Sequence, residues 1–343
     1  MGVGVKRKQS LVDRVLEDAF AGRAVADEEE IAALFEMPTF SPESAALIAG
    51  GRRLSELACD GRAEVHAQTA MNVGPCRREC KFCAFAACNH VFEEDREFPV
   101  DYVIEQARQF EKDGANAVYL MATGMYPMGR FLERSAEVHQ ALKPDTVIIA
   151  NVGDFGADLA EELRQAGFRG IYHAVRLGEG RDTKITVERR MATFEAAKEA
   201  GLGIGTCLEP VGPEHSTAEL VEKLLITRDM QPDYSGSARR IPIPDTELAQ
   251  HGRVSEARMA HILAVCRVVL PLSIPGNCTH EPNALGAAAG ANLLWAESGG
   301  NPRDREERTE EGRGKTVAQC RGILAEAEWE VLDGPSAFHG DHV

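Results

Sequence analysis

Three cysteines stand close together in Asn72-Val-Gly-Pro-Cys76-Arg-Arg-Glu-Cys80-Lys-Phe-Cys83-Ala-Phe. Gaps of three and then two residues let three thiolates face one metal centre from a single loop. A [4Fe–4S] cubane takes four ligands, so three cysteines leave one iron open to chelate a substrate or a cofactor. Phe82, just before the third cysteine, can pack over such a cluster. The competing reading is structural zinc, which takes four closed ligands, commonly as paired C-x2-C units. No second pair follows, and His90 is the nearby candidate for a fourth ligand.

The elements around the loop must hold it at one end of a scaffold. A strand over 65–73 leads into it, and helices are expected over 101–113, 131–142, 157–166, 186–200, 217–228 and 255–269. Short apolar runs between them read as strands over 117–121, 146–150, 170–175, 202–208, 234–241, 272–274 and 291–295, with a short helix over 284–289. About eight strand–helix units imply parallel strands with right-handed crossovers, hence an α/β (β/α)8 barrel of the TIM-like kind; an open doubly wound sheet is the alternative. Before the barrel, residues 1–62 read as a helical extension, in which Ser41-Pro42 looks like an N-cap followed by a first-turn proline. The barrel spans 63–298, and 299–343 forms a C-terminal loop and helix, with 299–315 expected to be mobile and the helix over 316–328.

Composition narrows the function classes. The 343 residues are 44% hydrophobic and 27% charged, ordinary for a globular protein. A net charge of -16 argues against a nucleic-acid groove, which needs a basic face, and disfavours anionic lipid. Its densest acidic run is Glu306, Glu307, Glu310 and Glu311. Residues 1–10 are basic, but no signal-peptide apolar run follows, and no stretch approaches the roughly 18 apolar residues of a membrane span. The expectation is a cytoplasmic protein. Its 9 cysteines favour metal binding or free thiols over a disulfide framework.

The cysteine loop resembles the signature of the radical S-adenosylmethionine (SAM) superfamily. From about Asn72 to Trp329 the chain is similar to the biotin synthase branch, with its lipoyl synthase, hydrogenase-maturase and methylornithine synthase relatives. The words that carry this are Arg190-Met-Ala-Thr-Phe, Ala200-Gly-Leu-Gly-Ile-Gly, Ile243-Pro-Asp-Thr-Glu-Leu248, Ala289-Gly-Ala-Asn292 and the stretch from Gly314-Lys-Thr-Val to Trp329. The resemblance implies that Cys76, Cys80 and Cys83 hold a [4Fe–4S] cluster whose open iron binds the methionine part of SAM. Cleavage would give a 5′-deoxyadenosyl radical that takes hydrogen from an unactivated carbon. It also implies a reducing partner such as flavodoxin or ferredoxin, a small-molecule or acyl-carrier substrate, and a homodimer or a partner radical SAM subunit.

Cofactor contacts are expected at strand ends: Thr123 in Met121-Ala-Thr-Gly124, then Asn151 and Asp154. Asp154 has a helix-capping role as its alternative. Arg176 is placed to clamp the methionine carboxylate and Glu179 to hold the ribose hydroxyls. Arg190 is divided between cofactor binding and a structural salt bridge, and His173 reads as a core or pocket histidine. The chain departs from familiar biotin synthases in lacking cysteines at the ends of strands two, three and four. It has Cys207 in Gly205-Thr-Cys-Leu-Glu-Pro210 and Cys278 in Pro275-Gly-Asn-Cys-Thr-His-Glu-Pro282, with Cys88 close behind the first loop. These are ligands of a second iron–sulfur cluster or buried thiols, whereas Cys59, Cys266 and Cys320 read as structural. Sulfur insertion of the biotin or lipoyl kind is the leading expectation. The alternative is a one-cluster mutase or lyase acting on a small amino-acid-like substrate.

Overall fold

The computed structural model describes residues 9–25, 27–298 and 314–339. Eight parallel strands close into a barrel: β1 (Arg62–Ala70), β2 (Ala117–Met121), β3 (Val147–Asn151), β4 (Gly170–Tyr172), β5 (Gly203–Gly205), β6 (Tyr234–Arg239), β7 (Gly276–Thr279) and β8 (Leu293–Ser298). Closure comes from β8 lying parallel to β1, with Glu64 opposite Leu293 and His66 opposite Trp295. Each strand is buried on both faces, as a sheet wrapped by helices requires; in β1 every residue after Arg62 is buried. Tyr119, Tyr172, Tyr234 and Trp295 fill the barrel interior.

The helices outside the barrel are α4 (Val100–Lys112), α5 (Met128–Ala141), α6 (Ala157–Gln165), α7 (Val187–Glu199), α8 (Thr217–Met230), α9 (Glu256–Val269), α10 (Ala284–Ala288) and α11 (Val317–Glu326). Three more precede them: α1 (Leu11–Phe20), α2 (Glu28–Glu36) and α3 (Pro42–Ala58). Ser41 caps α3 by accepting from the Ser44 N–H at 3.0 Å, with Pro42 in the first turn. Val12, Ile31, Leu34, Phe35, Leu47 and Leu54 pack with α8 and α9 in one apolar cluster. Buried His261 ties this layer together: it bonds the Ser44 hydroxyl at 2.7 Å and the Leu34 carbonyl at 2.8 Å.

Three strand expectations need correction. Residues 272–274 are a turn, and the seventh strand is Gly276–Thr279. Pro271 and Pro275 flank the apolar triplet, and proline cannot donate to a ladder. Buried Arg267 instead fastens the turn by donating to the carbonyls of Ile274, Leu270 and Pro271. The run over 202–208 divides into β5 and an edge strand, Leu208–Val211, beside β6. The run over 65–73 likewise stops at Ala70, and Asn72–Val73 pairs antiparallel with Arg96–Glu97.

The N-terminal end of the barrel is closed from the far end of the chain. The short strand Glu330–Val331 pairs with the start of β1. Beyond it, the Ser336 hydroxyl donates to Glu64 Oε2 at 2.6 Å and the Ala337 N–H to Glu64 Oε1 at 2.7 Å. His339 Nδ1 lies 2.9 Å from Asp233 Oδ2. The loop expected over 299–315 and its acidic run fall on 299–313, outside the described residues. Among the described residues no helix is long and apolar enough to cross a membrane.

Candidate active site

At the C-terminal mouth of the barrel lies a cavity of about 1160 Å³, counting its open entrance. Cys76, Cys80 and Cys83 all stand on its wall, so three thiols from one loop converge on one space, the donor set an open-iron cubane needs. The backbone fixes that convergence. The Cys76 N–H donates to the Phe85 carbonyl at 2.5 Å, and the Ala87 N–H returns to the Cys76 carbonyl at 3.1 Å. The Cys83 N–H donates to the Cys80 carbonyl at 2.8 Å, while Asn89 Nδ2 donates to the carbonyls of Lys81 and Cys83. On its outer side the loop is sewn to the segment after β4: the Lys81 N–H donates to the Asp182 carbonyl and the Lys184 N–H to the Arg78 carbonyl. Burial pushes the thiols up, Cys80 to about 11 and Cys76 and Cys83 above their ordinary value. They are neutral at pH 7 until a metal displaces their protons. His90 is exposed and absent from the cavity wall, so it adds no fourth ligand.

The structure gathers most expected cofactor residues around this cavity but divides their roles. Thr123 is on the wall, and its hydroxyl accepts from Asn72 Nδ2 at 3.0 Å. Asn151 is there too, donating to Gln68 Oε1 at 2.6 Å. Arg176 reaches the cavity with its guanidinium carbon 6.0 Å from the Phe82 ring centroid and Nε 3.3 Å from Glu209 Oε1. Arg190 lines the wall while bonding Glu179 at 2.9 Å and Asp154 at 3.0 Å, so it is structural and cavity-facing at once.

Glu179 stands behind the wall. Its side chain is 0% exposed and does not line the cavity. Its oxygens accept from Arg190 Nε, the Thr183 hydroxyl and the Arg176 N–H, so the carboxylate anchors two arginines. Asp154, also on the wall, does not cap α6, whose N-cap is Gly156. Burial opposes its charge, but His173, Arg190 and Arg189 hold its carboxyl below the ordinary value. His173 is kept neutral by burial, its pKa lowered to about 4, and meets the Phe194 ring edge-on.

Cys207 and Cys278 do come together, and with them a residue the sequence reading passed over. Cys207 Sγ, Cys278 Sγ and a ring nitrogen of His280 lie within 4.8 Å of one another. His280 Nε2 is 3.7 Å from Cys207 Sγ, and Nδ1 is 3.3 Å from Glu209 Oε2. Burial works against a charge on His280, but Cys207 and the Glu209 carboxylate hold its pKa up, at about 10. Glu209 is itself held down to about 2, against burial, by His280 and Arg176. Cys88 does not join this group: it is exposed, and its N–H donates to Glu79 at 2.8 Å. Cys266 and Cys320 are buried, and Cys59 is half-buried.

Residues 74–225 match the family model described as the Radical SAM superfamily. A biotin synthase of Kocuria rhizophila is 30% identical over 275 residues, covering 78% of this chain but 57% of that protein, little more than half its length. Among solved structures, the FeFe-hydrogenase maturase HydG from Carboxydothermus hydrogenoformans superposes with a TM-score of 0.77 at 16% identity, over 96% of this chain and 81% of that one. Methylornithine synthase, PylB, superposes with a TM-score of 0.76 at 16% identity, over 96% of this chain and 98% of that one. At such identities these two structures establish a shared barrel.

Proposed function

We propose that the chain, whose residues 74–225 match the Radical SAM superfamily model, is a one-cluster radical SAM enzyme acting on a C–H bond of a small, charged, amino-acid-like substrate. A [4Fe–4S] cluster on Cys76, Cys80 and Cys83 would supply the electron that splits SAM, giving a 5′-deoxyadenosyl radical able to take hydrogen from an unactivated carbon. The chain's own residues would position and shield. Arg176 offers the methionine carboxylate a guanidinium already aligned by Phe82 and Glu209. Thr123 and Asn151 sit on the facing strand ends, and Arg190, steadied by Glu179, completes the polar wall.

One observation carries the substrate class. The cavity wall includes Arg176, Arg190, Arg239, Asp154, Glu209 and Glu297. Such a wall suits a compact molecule bearing both charges better than a long acyl chain. Sulfur insertion of the biotin synthase kind is the second reading. It is supported by the named relative and by the paired thiols Cys207 and Cys278. A dithionite- or flavodoxin-reduced anaerobic preparation separates the two. Transfer of deuterium from a labelled amino acid into 5′-deoxyadenosine, with about four irons per chain, supports the first. Transfer only from a biotin precursor or a carrier-bound acyl chain, with about eight irons, supports the second. Absence of 5′-deoxyadenosine under all conditions overturns both.

A further inference from the structure

We propose that Cys207, Cys278 and His280 form a binding site for one thiophilic divalent ion, zinc foremost, in the wall of the barrel. Its three ligands are distinct from Cys76, Cys80 and Cys83, and the proposal does not depend on which substrate the cavity takes.

The fold brings the three together by strand order. Cys207 leaves the end of β5, Cys278 belongs to β7, and β6 runs between them. The intervening strand is kept thin: Gly236 pairs with Cys278, at φ +153°. A Cβ there would fall 2.0 Å from the Cys278 carbonyl oxygen, so no side chain at 236 allows β7 to approach this closely. Alternation along β7 then puts Cys278 and His280 on one face.

The spacing selects one ion over a cluster. With metal–sulfur and metal–nitrogen distances of about 2.3 and 2.0 Å, the edge of a tetrahedron is roughly 3.6 Å. The Cys207–His280 separation is 3.7 Å, and all three donor atoms lie within 4.8 Å of one another. Ligands of separate irons in a cubane stand farther apart than ligands of a single ion. Both cysteines are free, not disulfide-bonded. Two thiolates and a neutral imidazole balance a 2+ charge, so the loaded site is electrically neutral where it is buried.

Glu209 completes the arrangement from behind. Its carboxylate faces His280 Nδ1 at 3.3 Å, which leaves Nε2 directed at Cys207. A carboxylate behind a ligating histidine fixes the tautomer and raises the basicity of the ring. The other Glu209 oxygen meets Arg176, joining the ion site to the expected cofactor clamp. Three protein ligands leave a fourth position for water or for a soft anionic donor, such as a thiolate, entering beside His280 on the cavity wall.

The test is metal analysis of the full-length, anaerobically purified protein, followed by cobalt(II) titration. About one zinc per chain beyond the four irons, or one cobalt with intense thiolate-to-metal absorption, is expected. Cys207→Ser, Cys278→Ser and His280→Ala should each remove it, while Cys88→Ser should not. Glu209→Gln, which leaves all three ligands in place, should weaken cobalt binding by roughly 10- to 100-fold. This graded loss is readable even if a ligand variant fails to fold. No ion beyond the four irons after zinc exposure, or about eight irons with matching sulfide, overturns the site. Neither result bears on SAM cleavage at Cys76, Cys80 and Cys83, which is read separately as 5′-deoxyadenosine.

Discussion

Asn72 and Thr123 exchange two hydrogen bonds of 3.0 Å each: Asn72 Nδ2 donates to the Thr123 hydroxyl, and the Thr123 N–H donates to Asn72 Oδ1. This clasp joins the segment entering the cysteine loop to the end of β2, and both residues are buried. Asn72→Ala leaves two buried polar groups without partners, at about 1–3 kcal/mol each. The expected outcome is a lower melting temperature and a reduced iron-to-protein ratio after gel filtration. Full iron retention in Asn72→Ala would mean that the loop is held by its other anchors alone.

Replacing any one of Cys76, Cys80 and Cys83 with alanine is expected to abolish the visible iron–sulfur absorbance and 5′-deoxyadenosine formation, because a cubane on two thiolates lacks its ligand set. A single variant retaining full activity would remove this loop as the radical source.

Arg176 and Glu179, neighbours in sequence, should behave differently. Arg176→Ala is expected to weaken SAM binding by about thirtyfold, or about 2 kcal/mol, at unchanged iron content. Glu179→Ala removes one of the two carboxylates paired with the buried Arg190 guanidinium, leaving Asp154, and is expected to cost about 1–3 kcal/mol of folding stability in urea titrations. Equal effects on binding and no effect on stability would contradict the anchoring geometry.

His261 should make the packing of α3 on α9 sensitive to acid. Burial lowers its pKa to about 4 from 6.5, so the folded state favours the neutral ring. Its stabilisation is therefore complete above pH 6.5 and is lost as pH falls toward 4, by at most about 3 kcal/mol. The difference in unfolding free energy between wild type and His261→Gln should shrink across that window. A constant difference would show that the ring does not titrate there.

Much of this was legible before any coordinates. Capping residues such as Ser41 and Thr186 mark helix starts within a residue, because a side chain that accepts from the N3 amide is a local signal. The cysteine loop was legible for the same reason: its chemistry is contained in eight consecutive residues. The seventh strand was not, since Gly276-Asn-Cys-Thr has little apolar character and its pairing with β6 depends on Gly236, far upstream. The hydrogen bonds of Glu179 to Arg190 and Thr183 were not legible, because strand-end position says nothing about which partner captures a carboxylate. His280 and Glu209 had a usable signal that went unread. Each lies two residues beyond a cysteine, Cys278 and Cys207, the spacing that places side chains on one face of extended chain.

The bond from Ser336 to Glu64 spans 272 positions, and the barrel seam between β1 and β8 is almost as long-range. During synthesis the cysteine loop emerges early, while the strands and tail that enclose its cavity have yet to be made. Three adjacent thiols then wait in an open chain, accessible both to iron–sulfur assembly factors and to oxidants that convert thiols to sulfenic acid or to mispaired disulfides. Topology thus gives the newborn chain an interval of chemical vulnerability, in which a reducing environment protects the very residues that the finished barrel later shelters.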